Sequence, residues 1–377
     1  MAGIYIHIPF CKQACSYCDF HFSTKLTNKK FVLSAIEKEL ELRSNYIGKE
    51  LVETIYIGGG TPSLLNEVEL QSIFHAVLHN YNVSENAEIT LEANPDDLTK
   101  EKLKELKQTP INRLSIGVQS FFEEDLRFMN RAHNATEALE SIQNAKMVGF
   151  DNLSIDLIFG SQTTTNEMWQ KNLDTFFDLD LNHLSAYSLT VEEKTALAHN
   201  VAKGKVEDVD DEKNHTQYLM LQNTIRQQGF EQYELSNYCK NESYSKHNTS
   251  YWQGKKYLGI GPSAHSFDGA SRQWNVRNNS LYLKAIQNKT NYFEKEELTE
   301  IDRYHELLIT SLRTKRGIDV KFLEAHFSDF IVRHFQTKRE VVNKSLIDMS
   351  INFLRIRQEY LFQSDEIVRE LMIDFEA

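Results

Sequence analysis

The chain is predicted to be an α/β protein, built as a partial (β/α)6 TIM-like barrel with a small, mainly helical C-terminal domain. Short β-rich runs recur along the first half of the sequence, each followed by a longer amphipathic segment. Such alternation implies parallel βα units joined by right-handed crossovers. The chemically distinctive residues also fall at the C-terminal ends of those runs, on the face where barrels of parallel strands assemble their sites.

The first strand, residues 4–8 (IYIHI), leads into a cysteine-containing loop and a helix at 30–43. The second, 54–57, runs into Gly58-Gly59-Gly60-Thr61-Pro62 and a helix at 66–78. The third, 88–92, ends at Glu92 and precedes a helix at 100–107. The fourth, 113–118, reaches Gln119 and is followed by a helix at 136–148. The fifth, 152–158, carries Asp156 and precedes a helix at 165–178, and the sixth spans 183–188. Six units fit an open barrel better than a complete eight-unit one. A doubly wound sheet is the competing topology, and periodicity does not separate the two. After Phe267 the pattern turns mainly helical, and 298–316 reads as a helix with Ile301, Leu307, Leu308 and Leu312 on one face. The division expected is 1–270 for the barrel and its extension, and 290–377 for a C-terminal unit of winged-helix-like character.

Composition narrows the class. With 41% hydrophobic and 25% charged residues, the chain reads as a soluble globular protein. Five prolines and fifteen glycines leave no long disordered linker to expect. No apolar run reaches membrane-span length and no signal-peptide pattern opens the chain. Together with the cysteine usage this points to the reducing cytoplasm, with a peripheral membrane contact left open. A net charge of −12 argues against extensive contact with a phosphate backbone, so no nucleic-acid partner is expected.

Cys11, Cys15 and Cys18 stand at C-x3-C-x2-C spacing directly after the first strand. Three thiolates on an iron–sulfur cube leave the fourth iron with an open position, where a substrate or cofactor can bind. A Cys3His zinc site with His7 or His21 is the alternative. The fourth cysteine, Cys239, lies alone in a polar stretch and reads as incidental.

The segment from Tyr5 through Cys11, Cys15, Tyr17 and Cys18 to Phe20, followed by Gly58–Pro62, resembles the radical S-adenosylmethionine (SAM) superfamily. More narrowly, it is similar to the branch that holds oxygen-independent coproporphyrinogen III oxidase and the HemW haem chaperones. The resemblance covers nearly the whole chain. It implies a [4Fe–4S] cluster on the three cysteines, with SAM chelating the fourth iron and reductively cleaved there to a 5′-deoxyadenosyl radical. It also implies SAM contacts at Tyr17, Gly59, Gly60, Thr61, Glu92, Gln119, Arg131 and Asp156. Tyr5 matches a tyrosine at the same offset in the oxidase, with packing at the barrel rim as the other reading. The segment Lys246-His247-Asn-Thr-Ser-Tyr251-Trp252 resembles a haem-associated H-N-x-x-Y-W pattern, which implies His247 as an iron ligand. His265 is a secondary candidate that reads more readily as structural.

The resemblance leaves two activities: a haem chaperone serving membrane-associated respiratory haemoproteins, or oxidative decarboxylation of coproporphyrinogen III. Three features favour the chaperone. Phe20 stands where the oxidase has a further cysteine, the first strand begins close to Met1 where the oxidase has a long extension, and the His247–Trp252 motif is present. A radical SAM enzyme acting on RNA is disfavoured by the acidic charge. Oligomeric state is left open, a dimer included.

Overall fold

A computed structural model describes residues 1–374. Among these residues the strands are β1 (Ala2–Ile8), β2 (Val52–Gly59), β3 (Val83–Ala93), β4 (Arg113–Gln119), β5 (Leu153–Phe159), β6 (His183–Ser188), β7 (Glu231–Gln232), β8 (Asn237–Cys239), β9 (Lys256–Ile260), β10 (His265–Phe267), β11 (Ser271–Asn275), β12 (Phe293–Glu297), β13 (Ile318–Asp319), β14 (Ile347–Met349) and β15 (Phe353–Ile356).

Strands β1 to β6 pair in sequence order, all parallel, with helices between them. A doubly wound sheet reverses its strand order at a switch point, and β1 to β6 contain no such reversal. The sheet stays open: β9 adds in parallel outside β1, β10–β12 continue antiparallel, and β8 and β7 close the other side. The expected partial barrel is therefore the observed one.

Burial explains the arrangement. β1 and β5 are largely buried on both faces, as covered parallel strands should be. Ile4, Ile6 and Ile8 share one side of β1, and the helix Lys29–Leu42 buries Val32, Leu33, Ala35, Ile36 and Leu40 in the same core. Helix starts are fixed locally: Asn66 with Glu69, and Asn134 with Glu137, form capping boxes.

The sequence reading is corrected after residue 267. β11 and β12 are strands, and β12 pairs with β11 through Ser271↔Glu297 and Asn275↔Phe293. Phe293–Glu297 thus lies with the large sheet, past the 290 expected for the start of the C-terminal unit. The extension is fastened by a buried carboxylate. Glu39 accepts hydrogen bonds from Gly261 N–H (2.8 Å), Asn275 Nδ2 (2.8 Å) and Tyr282 OH (2.6 Å). Arg43, one turn on, reaches Glu39 at 3.5 Å and donates to Gln273 Oε1 at 2.8 Å.

A second apolar core contains Tyr304, Leu308, Leu312, Leu323, Ile331, Phe335, Leu354 and Leu371. Its elements follow the order helix Glu300–Leu312, β13, helices Val320–His326 and Asp329–Val341, β14, β15, and a last helix Ser364–Leu371. β15 lies between β13 and β14. The residues after 374 in the expected 290–377 unit lie outside the described ones. This unit docks on the barrel through Phe362, whose ring stacks on Tyr218 at 4.9 Å.

Candidate functional site at the mouth of the barrel

The cysteine loop leaves β1 and is tied down at both ends. Gly60 N–H donates to Ile8 O (2.9 Å), Thr61 N–H to Phe10 O (2.7 Å), and Ser23 N–H to Pro9 O (3.0 Å). Its middle is held by the segment after β4: Ser16 N–H donates to Met129 O at 3.0 Å, and Asn130 Nδ2 to Ala14 O at 2.7 Å. Cys11, Cys15 and Cys18 are free and partly exposed. Burial pushes the Cys11 thiol up to about 11 and the Cys18 thiol up to about 12. Bare thiolates are disfavoured at those two positions, and a bound cation would favour their deprotonation.

The turn after β2 requires glycine. Gly59 has φ +106°, and a Cβ on it would lie 2.4 Å from His7 Nδ1. Its N–H donates to Glu92 Oε2 at 3.0 Å, and Tyr56 OH donates to Glu92 Oε1 at 2.8 Å. Burial, with the Asp156 charge adding to it, raises the Glu92 carboxyl to about 7 despite these bonds. Because the Gly60 and Thr61 N–H groups are used on the cysteine loop, the turn has carbonyl oxygens left to offer a ligand.

β4 ends in strain. Gln119 adopts φ +68°, uncommon for a non-glycine residue, just after a register shift between Ile116 and Gln119. Arg131 joins the ends of β3 and β4 to the cysteine loop: its Nη2 donates to Asn94 Oδ1 and Gly117 O, both at 2.8 Å, and its Nη1 to Cys15 Sγ at 3.2 Å. Its Nε is buried without a partner among the described residues. Asp156 on β5 is raised to about 6 by burial, and accepts from the Ser115 hydroxyl at 3.4 Å. Tyr17 packs beside Met129, Ile158, Leu189 and Leu197 at the rim. The structure thus brings Cys11, Cys15, Cys18, Tyr17, Gly59, Gly60, Thr61, Glu92, Gln119, Arg131 and Asp156 to one mouth.

Sequence reasoning missed Asn94 and Tyr56 as site residues. Tyr56 lies two positions before Gly58 and so on the same strand face, a period-2 signal that was available. Asn94 had no signal of its own beyond following Glu92.

The expected haem ligand, His247, lies beside Gly3 and Thr54. It sits on the short helix Lys246–Trp252, 1% exposed, with Nδ1 bonded to Thr54 Oγ1 and Nε2 to Tyr251 OH, both at 2.8 Å. Its ring stacks on Tyr56 at 5.0 Å, and burial lowers its pKa to about 3. Both nitrogens are thus hydrogen-bonded to hydroxyl groups. Tyr5 belongs to the same interior wall, its ring 6.2 Å from Tyr56 and its hydroxyl donating to His7 Nδ1 at 3.0 Å.

Of the histidines the zinc alternative needs, His7 is bonded at both nitrogens and His21 at Nε2. His7 Nε2 donates to His21 O at 2.8 Å, and His21 Nε2 is hydrogen-bonded to Asn279 Oδ1 at 2.7 Å. Among the described residues no group of three His, Cys, Asp or Glu side chains is set around a single ion. A four-iron cube instead takes each thiolate at a separate corner. The three free thiols on one tethered loop, beside a buried guanidinium with a spare donor, fit a cluster carrying an anionic ligand.

Comparison with known proteins agrees. A model of the radical SAM superfamily matches residues 5–176. The heme chaperone HemW of Bacillus subtilis is 36% identical over 331 residues, covering 85% of this chain and 86% of the relative. HemW of Lactococcus lactis is 33% identical, covering 91% and 90%. A mitochondrial radical S-adenosyl methionine domain-containing protein 1 from Danio rerio is 32% identical, covering 84% and 74%. In fold, the chain superposes on coproporphyrinogen III oxidase (HemN) from Escherichia coli with a TM-score of 0.84 at 22% identity, covering 98% of this chain and 89% of that one. With its cysteine loop, its open barrel and relatives this similar along most of its length, the chain belongs to the HemW heme chaperone family of the radical SAM superfamily.

Proposed function

We propose that this protein is a cytoplasmic haem chaperone that holds a [4Fe–4S] cluster on Cys11, Cys15 and Cys18, binds SAM beside it, and passes haem to membrane-associated respiratory haemoproteins. The observation that carries this reading is the convergence of five strand ends on the tethered cysteine loop, in a chain whose curated relatives bear the heme chaperone name. When bound and reduced, the cluster supplies an electron to the sulfonium of SAM.

The chain's own residues orient that ligand. The Glu92 carboxylate and the Gly59 and Gly60 carbonyls suit an ammonium group, and Arg131 with its spare Nε–H suits a carboxylate. Gln119 and Asp156 suit ribose hydroxyls, and Tyr17 with Tyr5 supplies apolar walls. The C-terminal unit, read as a winged helix from the order of its elements, packs Phe362 on Tyr218 of the helix Asp211–Gln227.

Phe20, 67% exposed just past the third cysteine, occupies the position of the oxidase's additional thiol, which favours cargo handling over porphyrinogen decarboxylation. The test is incubation of anaerobically reconstituted protein with SAM, a reductant and coproporphyrinogen III. No product and a Soret shift on haem titration are expected; protoporphyrinogen formation would overturn the chaperone reading.

A further inference from the structure

We infer that Arg113 and Thr90 form an anion site on the floor of the barrel, built to take a singly charged carboxylate. The site is separate from the cluster, SAM and haem readings proposed above, and its test does not depend on them.

Arg113 opens β4 and lies opposite Thr90 of β3 in the parallel register. Their chain neighbours Ile89, Leu91 and Leu114 belong to the main apolar core, so alternation turns Thr90 and Arg113 to the inside of the barrel. Arg113 is 2% exposed, and its guanidinium has a single hydrogen bond among the described residues, a long one of 3.5 Å from Nη2 to His183 Nδ1. That nitrogen already meets the Ser154 hydroxyl at 2.6 Å. A guanidinium has five N–H donors, so most of them are unanswered. Thr90 is fully buried, and its Oγ1 also has no partner among the described residues. Two unpaired polar groups side by side in one interior define a ligand position, because each left bare costs stability.

Among the described residues no carboxylate takes this charge. Glu88, two residues before Thr90 on the same face, is committed to the Lys246 and His247 N–H groups at 3.2 and 3.0 Å. Asp156 senses the Arg113 charge, yet its hydroxyl donors are Ser115 and Ser185, and no ion pair joins it to Arg113. Glu92 and Ser115 sit opposite each other one step nearer the mouth, about 6.6 Å along the strands, and Asp156 bonds Ser115 there.

These neighbours select the ligand. A guanidinium fork matches the two oxygens of a carboxylate, and the Thr90 hydroxyl can donate to one of them. Glu92 and Asp156 above disfavour a phosphate, whose second charge would face them. Burial raises these carboxyls to about 7 and about 6, so near neutral pH they are partly protonated and a monoanion is tolerated. The carboxylate can belong to a small free acid or to an arm of a larger molecule seated in the mouth.

The test is thermal melting of the full chain with sodium acetate against sodium chloride at equal ionic strength, with line broadening of isotope-labelled acetate as the direct binding readout. Acetate, not chloride, should raise the wild-type melting temperature by roughly 2 °C at about ten times its dissociation constant. Arg113→Met should lose the response. Arg113→Lys should weaken acetate binding roughly tenfold, and Thr90→Val roughly threefold. Equal effects of acetate and chloride on wild type, an acetate response kept in Arg113→Met, or unchanged affinity in both Arg113→Lys and Thr90→Val overturns the site. The last pair decides the matter where Arg113→Met does not fold. A second titration compares hemin with hemin dimethyl ester. Acetate that competes with hemin but not with the ester identifies an arm of a larger ligand, and acetate that competes with neither identifies a free acid. Absence of hemin binding removes the haem reading and leaves the acetate result standing.

Discussion

Replacing His247 by alanine should destabilise the barrel, because the structure makes this residue an interior strut. The imidazole is 1% exposed and joins Thr54 on β2 to Tyr251 on the helix Lys246–Trp252. Truncation leaves two hydroxyls short of a partner, each costing about 1–3 kcal/mol, and opens a cavity beside Tyr56 worth about 1–2 kcal/mol more. A loss of about 4 kcal/mol at pH 7 is expected, on the order of 5–10 °C in melting temperature. The effect should also depend on pH. With its folded pKa lowered to about 3 against an unfolded value of 6.5, His247 contributes stability that is present above 6.5 and lost as pH falls toward 3. Between pH 7 and pH 5 proton uptake by the unfolded chain removes about 2 kcal/mol from wild type through this residue. The alanine variant has no such loss, so the gap between the two proteins should shrink to about 2 kcal/mol at pH 5. Thermal and urea unfolding at both pH values measures this. A variant as stable as wild type, or a gap that stays constant with pH, would refute the reasoning.

Other perturbations probe the mouth and its supports. Gly59→Ala forces a Cβ to within 2.4 Å of His7 Nδ1 at φ +106°; a loss of about 2–4 kcal/mol and poor iron loading are expected, read by melting and iron analysis. SAM affinity of the cluster-loaded protein should rise between pH 6 and pH 8 as Glu92, raised to about 7, ionises. Calorimetry on Glu92→Gln should show weaker binding without that slope, and an identical slope would exclude Glu92. Glu39→Ala leaves Arg43 buried without its carboxylate and releases the bonds to Gly261, Asn275 and Tyr282; about 3–5 kcal/mol should be lost, with hydrogen exchange increasing in β9–β11.

The six strands and their helices were legible because each depends on local pattern. Residues 4–8 and 113–118 are apolar runs buried on both faces, and their observed bounds, Ala2–Ile8 and Arg113–Gln119, differ by only one or two residues. The antiparallel extension was not legible. β10 has three residues, and β12 reads Phe-Glu-Lys-Glu-Glu, a polar edge strand whose existence depends on pairing with β11. Glu39 and Arg43 at i,i+4 look like a surface ion pair, and only the fold of residues 259–282 over them buries the pair. The burial of His247 was illegible for a similar reason. His247 and Tyr251 are one helical turn apart, so their mutual contact is local, but which of them faces solvent depends on what lies beneath that helix.

The cluster loop and the crossing from β9 to β10 share one support, His7. Its Nε2–H donates to the His21 carbonyl, which fixes the tautomer, so Nδ1 must accept from Tyr5 OH. Burial lowers its pKa to about 4 and keeps it neutral in that role. One side of the ring abuts Gly59 of the turn that fastens Phe10, while the Ile6 of its own strand pairs with Ile260 of β9. On β9, a Cβ on Gly259 would lie 1.9 Å from the His265 carbonyl. Glycine there lets residues 261–265 cross closely over the strand. The glycines of Gly58-Gly-Gly-Thr-Pro62 and of Gly259-Ile-Gly-Pro-Ser-Ala-His265 therefore act alike. Each lets a segment pass tightly over a neighbouring backbone, one to seat the cysteine loop and the other to turn the chain from β9 into β10. Both crossings are fixed to one strand, β1, which pairs with β2 on one side and β9 on the other.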